Sequence, residues 1–282
     1  MKKISFKLIT ILLTLSMVTA FVGCAKAPSP VAASHNQFQT KQDSPSYAKI
    51  KKAGQIVLGT SADYPPYEFH KSVNGADTIV GFDIEIAKTI ASDLGVKLVI
   101  KDMKFDGLLA ALDAGNIDFI VAGMNPTAER AKNVDFSNVY YKSTQTLVVR
   151  TSDNDKYKTA GDLAGKVIDV QKGTIQEKLA ATIFAKSTAK ALPKISDLIM
   201  SLQNNKADGA IIESPVAKAY VSKNSDITIS DITVPSDQVG AAAALKKGST
   251  DLVALVNKTL DKLTSTNAID KLVGEANLLV EQ

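Results

Sequence analysis

The chain is predicted to be an α/β protein built as two similar halves. From Tyr47 onward, short β-rich runs alternate with helical patterns. Ile86, Ile90 and Leu94 recur at the four-residue spacing of a helix face, with Gly95 as a stop. Leu108, Leu112 and Asp118, followed by an apolar strand, reappear as Leu198, Leu202 and Asp208 at an offset of 90. Such repeats also arise by chance in Leu- and Asp-rich sequence, so the third observation stands beside the other two and not in front of them.

Composition sets the limits. With 282 residues, 45% hydrophobic and 22% charged, the chain has enough apolar sequence for one large or two medium cores, which excludes collagen-like, disulfide-scaffold and wholly disordered classes. The 33 Lys and Arg against 29 Asp and Glu give +4, and the first 23 residues supply three lysines and no acid, leaving +1. A nucleic-acid partner therefore has no electrostatic support. One Cys permits no internal disulfide, and two His exclude a His-rich metal site. No cofactor-binding signature is present.

Residues 1–23 read as a secretory signal: Lys2, Lys3 and Lys7 precede an almost wholly apolar Leu8–Val22. That apolar run, about 15 residues, falls short of the ~20 that span hydrocarbon comfortably. Phe21-Val22-Gly23-Cys24 resembles the lipobox of bacterial lipoproteins, so Cys24 is expected to carry a lipid and to anchor the protein on the extracytoplasmic face. Residues 24–45 are small, polar and Pro-bearing, without periodicity, and are expected to form a flexible tether containing His35.

In the folded part, Ile56–Gly59 reads as a strand followed by a polar, aromatic loop through Tyr64-Pro65-Pro66-Tyr67. Asp83–Leu94 reads as a helix, Val96–Ile100 as a strand, Asp106–Ala114 as a helix ended by Gly115, and Phe119–Ala122 as a strand. A second series begins at Gly165–Val170, with helices near Ile175–Ala185 and Ser196–Asn204 and a strand at Gly209–Ile212. Asp251–Thr264 and Ala268–Leu279 close the chain as amphipathic helices. Ligands of open α/β sheets bind at the carboxyl ends of strands. Asn125–Arg130 follows one such end and Glu213 another, so opposite charges meet across one cleft if the halves face each other.

Arg130 is one of only two arginines in the chain. A planar guanidinium suits bidentate binding of a carboxylate, and Thr127 placed as a helix cap puts Arg130 in a first turn with anion-favouring amides. The alternative is a surface salt bridge with Glu129 or Asp135. Glu213, after four apolar strand residues, is expected at a cleft rim facing a cation. It otherwise caps a helix over Pro215–Tyr220. Gln171-Lys172-Gly173-Thr174 lacks the flanking glycines of a phosphate loop, and Thr174 as an N-cap suits a carboxylate. Tyr64, Tyr67 and Phe105 offer apolar walls and cation–π faces, or else pack in the core. His70, near Glu68, has no nucleophile in an elbow pattern beside it.

Several stretches, in order, resemble the family 3 extracellular solute-binding proteins for polar amino acids, which feed ABC importers. They are Leu58–Phe69 (LGTSADYPPYEF), Val80–Ala87 (VGFDIEIA), Phe105–Leu108, Ala122–Met124, Thr127–Arg130, Val134–Ser137, Asp162–Lys166 and Gln171–Thr174. The resemblance implies a two-lobed, type II periplasmic-binding-protein-like fold. Each lobe is then a mixed β-sheet flanked by helices, and two crossings join the lobes. It divides the chain into a first lobe over 46–145, a second over 146–238 and a return to the first over 239–282. It also implies that Arg130 holds the ligand α-carboxylate with the backbone of Ala122, Gly123 and Asn125, Thr174 and the Ile175 amide. Glu213, where the family usually has Asp, takes the α-ammonium. Tyr64, Tyr67 and Phe105 enclose the side chain, and Ser61 and Gln171 tune its identity. Asn125 stands where many members have Ser or Thr. Ser61 stands where some binders of basic amino acids have Asp, a loss that Glu68 or Asp63 compensates if the ligand is basic. The implied partners are an amino acid, permease subunits and, through Cys24, the membrane, with a monomeric protein and no catalysis. A cyclohexadienyl dehydratase on the same fold is the enzymatic alternative, and an adhesin or sensor module a third reading.

Overall fold

The computed structural model describes residues 45–237 and 240–281. The expected signal, Cys24 and the tether up to Ser44 lie outside the described residues. Pro45 opens the first helix, α1 (Pro45–Ala53), whose Ile50 is buried.

Strand β1 (Gln55–Thr60) is buried through Ile56 and Leu58, and it turns into a small antiparallel sheet of β2 (Asp63–Tyr64), β3 (Glu68–Val73) and β4 (Ala76–Val80). Gly81 follows at φ 127; a Cβ there would lie 2.1 Å from the Tyr67 carbonyl oxygen, so only glycine lets the chain pass this close. Helix α2 (Phe82–Asp93) then buries Phe82, Ile84, Ile86, Ala87 and Ile90. Strand β5 (Lys97–Asp102) comes next, beginning one residue later and ending two residues later than the sequence spacing suggests. The expected helix over 106–114 is divided into a 3-10 turn at Phe105–Gly107 and α3 (Leu108–Asp113), and of the expected strand 119–122 only β6 (Phe119–Ile120) is paired.

The chain leaves this half along β7 (Val134–Lys142) and enters the other along β8 (Gln145–Arg150). There β9 (Val167–Gln171), α4 (Ile175–Ile183), β10 (Thr188–Leu192), α5 (Ile195–Gln203), β11 (Gly209–Glu213), α6 (Ser214–Lys223) and β12 (Ile227–Val234) follow. It returns along β13 (Gly240–Lys246) and ends in α7 (Thr250–Ser265) and α8 (Ala268–Glu281). No described helix is long and apolar enough to cross a membrane.

Two five-stranded sheets result, in the orders β5-β1-β6-β13-β7 and β10-β9-β11-β8-β12. In each, three neighbours are parallel and the last two strands antiparallel. Among the described residues, β7 and β13 belong to the first sheet and β8 and β12 to the second, so the chain changes sheet between β7 and β8 and again between β12 and β13. The echo at offset 90 is a structural equivalence. Asp118 N–H donates to Val57 O (2.8 Å) while its carboxylate accepts Val57 N–H (2.9 Å), and Asp208 repeats both bonds with Val167 (2.8 and 3.0 Å).

Candidate functional site

The carboxyl ends of β1, β6 and β9 converge on a narrow pocket that opens to solvent, with about 300 Å3 of free space including its mouth. From the first sheet and its hairpin come Ser61, Tyr64 and Glu68; from the 3-10 turn, Phe105; from the loop after β6, Ala122, Gly123 and Asn125. The second sheet contributes Gln171 at the end of β9, Thr174, and Gln176 in the first turn of α4.

Contacts between the two halves narrow this cavity. Asp63 Oδ2 accepts the Ile195 N–H at the start of α5 (2.6 Å), and Tyr220 Oη donates to Asp63 O (3.0 Å). Lys172 pairs with Asp106 at 2.9 Å. Gly173, at φ +80, stands where a Cβ would come within 3.0 Å of Asp106 Cβ, so the two loops meet backbone against side chain.

Arg130 lies at one end, 8% exposed, its guanidinium 5.4 Å above the Phe105 ring. Nη1 donates to Asn125 O (2.8 Å) and Nη2 reaches across the cleft to Gly173 O (2.9 Å). Burial lowers its pKa to about 10, so it stays charged at neutral pH. Neither Glu129 nor Asp135 pairs with it; Asp135 takes Lys247 instead. The expected helix after Thr127 is absent. Thr127 Oγ1 accepts the Arg130 N–H (3.2 Å), which makes a 3-10 turn of Arg130–Lys132 too short for a helix-end anion site.

The opposite end is acidic. Glu213 is 2% exposed and is the last residue of β11, buried and not at a rim: the strand runs one residue further than the apolar pattern. It accepts from Tyr64 Oη (3.0 Å) and from Ser143 Oγ, and makes no capping bond to α6. Burial raises its pKa, opposed by these donors, Ser143 foremost. Glu68, which lines the cavity with Tyr64, and Asp83, which does not line it, are both fully buried. Asp83 Oδ2 accepts from Gly123 N–H (2.8 Å) and Tyr140 Oη (2.8 Å), yet burial pushes its pKa up to about 7. Neither oxygen of Glu68 has a hydrogen-bond donor of good geometry, and burial, then the Asp83 charge, hold this carboxyl well above the usual range. Asp63 is raised to about 6 by burial, against the Ile195 N–H.

The other expected residues divide. Tyr67 is fully buried and packs on Phe82 (4.4 Å between ring centroids) and Tyr64 (5.3 Å), so it backs the wall without lining it. Ile175 opens α4 but its neighbour Gln176 lines the cavity. Thr174 occupies the N-cap position, but its hydroxyl donates to Gln171 O (2.6 Å) and caps nothing. Asn125 donates to Gly240 O (2.9 Å). Gln171 Nε2 is buried without a partner. His70 is exposed and bonds Asp77 (2.9 Å) and Asp102 (3.3 Å), outside the cavity. Among the described residues no group of three His, Cys, Asp or Glu is arranged to hold a metal.

Sequence reasoning missed Asp83, Ser143 and Gln176 and left Glu68 as a mere compensator. Asp83 follows Gly81-Phe82 at a helix start, where an acid ordinarily serves the helix dipole, so its inward role carried no separate signal. Glu68 did carry one: an acid between two aromatics at a strand start.

The model of the bacterial extracellular solute-binding proteins, family 3, matches residues 56–275. The chain is 35% identical over 223 residues to an arginine-binding extracellular protein of Bacillus subtilis, covering 77% of this chain and 84% of the relative. An arginine-bound ABC transporter substrate-binding protein of Streptococcus pneumoniae superposes with TM-score 0.81 at 39% identity, covering 83% of this chain and 99% of that one. An ancestral amino acid-binding protein, described as a precursor of cyclohexadienyl dehydratase, superposes with TM-score 0.74 at 32% identity over 81% of this chain and 98% of its own.

Proposed function

Because the chain belongs to the bacterial extracellular solute-binding proteins of family 3, we propose that it captures a basic L-amino acid, arginine foremost, and delivers it to the permease of an ABC importer. One observation carries the choice of ligand: Glu68 lines the cavity as a fully buried carboxyl. Around it the buried guanidinium of Arg130 touches the lining residues Asn125 and Phe105, while the buried carboxyls of Glu213 and Asp83 bond the lining residues Tyr64 and Gly123. A basic amino acid offers its carboxylate to Arg130 and one cation each to Glu213 and Glu68, whereas a neutral amino acid leaves Glu68 without a counterpart. The arginine bound by the Streptococcus pneumoniae relative supports the same choice.

In this reading Arg130 exchanges its bond to Gly173 O for the α-carboxylate, assisted by Asn125 and the amides of Thr174 and Ile175 at the start of α4. Glu213 takes the α-ammonium, Tyr64 and Phe105 flank the side chain, and Glu68 meets its cationic end while Ser61 and Gln171 border it. Each charge-assisted bond contributes roughly 1.5–3 kcal/mol. Three of them, less the ordering of ligand and lobes, fit micromolar binding or tighter, about −8 kcal/mol. The lobes, 46–145 with 239–282 and 146–238, close as a hinge over the ligand. Lipid on Cys24 holds the protein at the membrane face.

The dehydratase reading needs an acid or base over a bound ring. His70 lies outside the cavity and the buried acids are matched to ligand charge, so transport is favoured. The test is calorimetry of the purified domain with L-arginine, L-lysine, L-histidine, L-glutamine and cystine. Preference for arginine or lysine supports the reading; preference for glutamine or cystine overturns it.

A further inference from the structure

Resting on the assignment of Glu68 to the ligand's cationic end, we propose that Asp83 is a specificity-determining residue acting from behind the cavity wall. It shares one proton with Glu68, and that proton passes to solvent when a cationic side chain enters. Capture of a basic amino acid is then an exchange of one proton for one cation.

The geometry supplies the pair. Asp83 N–H donates to Tyr67 O (2.9 Å), which sets the two residues side by side, and each carboxyl lies within the other's electrostatic reach. Both are fully buried, and Glu68 Oε1, Glu68 Oε2 and Asp83 Oδ1 have no well-formed hydrogen bond; the Ser61 backbone favours ionised Glu68 but is outweighed by burial and the Asp83 and Asp63 charges. Two buried carboxylates facing each other without a donor between them cannot both be ionised, so a proton fills the gap. It resides on Glu68, because Gly123 N–H and Tyr140 Oη both donate to Asp83 Oδ2 and hold the charge there. The groups facing the pair from the surrounding elements are Asp63 of β2, Tyr64 and Tyr67, Tyr140 of β7 and Glu213 of β11. All are acidic, and among the described residues no lysine or arginine forms an ion pair with either carboxyl. Only an incoming cation stabilises the doubly ionised pair. A neutral ligand leaves the proton in place.

Glu213 is also raised and also meets a cation, so a control must subtract it. Titrate L-arginine at pH 7 in phosphate, imidazole and Tris, whose ionisation enthalpies differ, with wild type and Asp83→Asn. The dependence of observed heat on buffer counts protons released. Wild type is expected to release close to one proton more than the variant, and its Kd to tighten with pH between 6 and 8 more steeply, by up to about tenfold per unit. Equal proton counts overturn the proposal. If Asp83→Asn does not fold, Glu68→Gln, which removes the shared proton from the same pair, is the control: a release close to one proton below wild type supports the proposal, and an equal release overturns it. No arginine binding at any pH overturns the ligand assignment and this inference with it, a result distinct from binding without proton release.

Discussion

Replacing Glu68 with Gln separates binding from folding. The side chain is fully buried, lines the cavity, and has no donor for either oxygen. Gln keeps the shape, removes the charge and offers an amide N–H to Asp83 Oδ1. A bond between two charged groups contributes about 1.5–3 kcal/mol, so arginine affinity should fall roughly ten- to 150-fold. Stability of the ligand-free protein should move the other way. Burial holds the Glu68 carboxyl well above its ordinary range, and a group with a raised folded-state pKa loses stability as pH rises above its unfolded value. The variant, with nothing to ionise, gains on wild type more at pH 8 than at pH 5. Calorimetry gives the affinity and urea unfolding at both pH values gives the stability. An arginine Kd within threefold of wild type, or a ligand-free variant clearly less stable at pH 8, refutes the reasoning.

The ligand-free wild type should lose stability as pH rises from about 5 to 8, because Asp63 (raised to about 6), Asp83 (to about 7), Glu68 and Glu213 all bind protons more tightly folded than unfolded. Asp83 alone, raised from 3.8 to about 7, accounts for roughly 3 kcal/mol of that loss. Urea midpoints that rise over this range contradict the assignment. Gly173→Ala should weaken arginine binding by about tenfold, since a Cβ there meets Asp106 Cβ at 3.0 Å and strains a backbone at φ +80; unchanged affinity would show that these loops do not meet in the bound state.

Much of the architecture was legible because the buried parallel strands are continuous apolar runs and the helices carry regular stripes. What escaped follows from competing physics. β13 (GAAAALK) is alanine-rich and reads as helix former, yet it lies between β6 and β7 with Ala241–Leu245 all buried, where small side chains suit a central strand. The hairpin of β3 and β4 alternates too weakly, with half its residues exposed, although Asn74-Gly75 is a turn signal. In the site, Arg130 stood out through the scarcity of arginine. Glu213 was recognised by its place after a strand, but its depth depended on one further strand residue. Asp83 was hidden because its inward role and an ordinary helix start share one signature.

The central claim is that Arg130 grips a carboxylate while buried acids grip cations at the far end. L-Arginine and its decarboxylated analogue agmatine share every cationic group and differ in that carboxylate alone. Titrated calorimetrically into the same preparation, arginine should bind at micromolar Kd or tighter, and agmatine at least about 100-fold more weakly. Agmatine binding within tenfold of arginine contradicts the account.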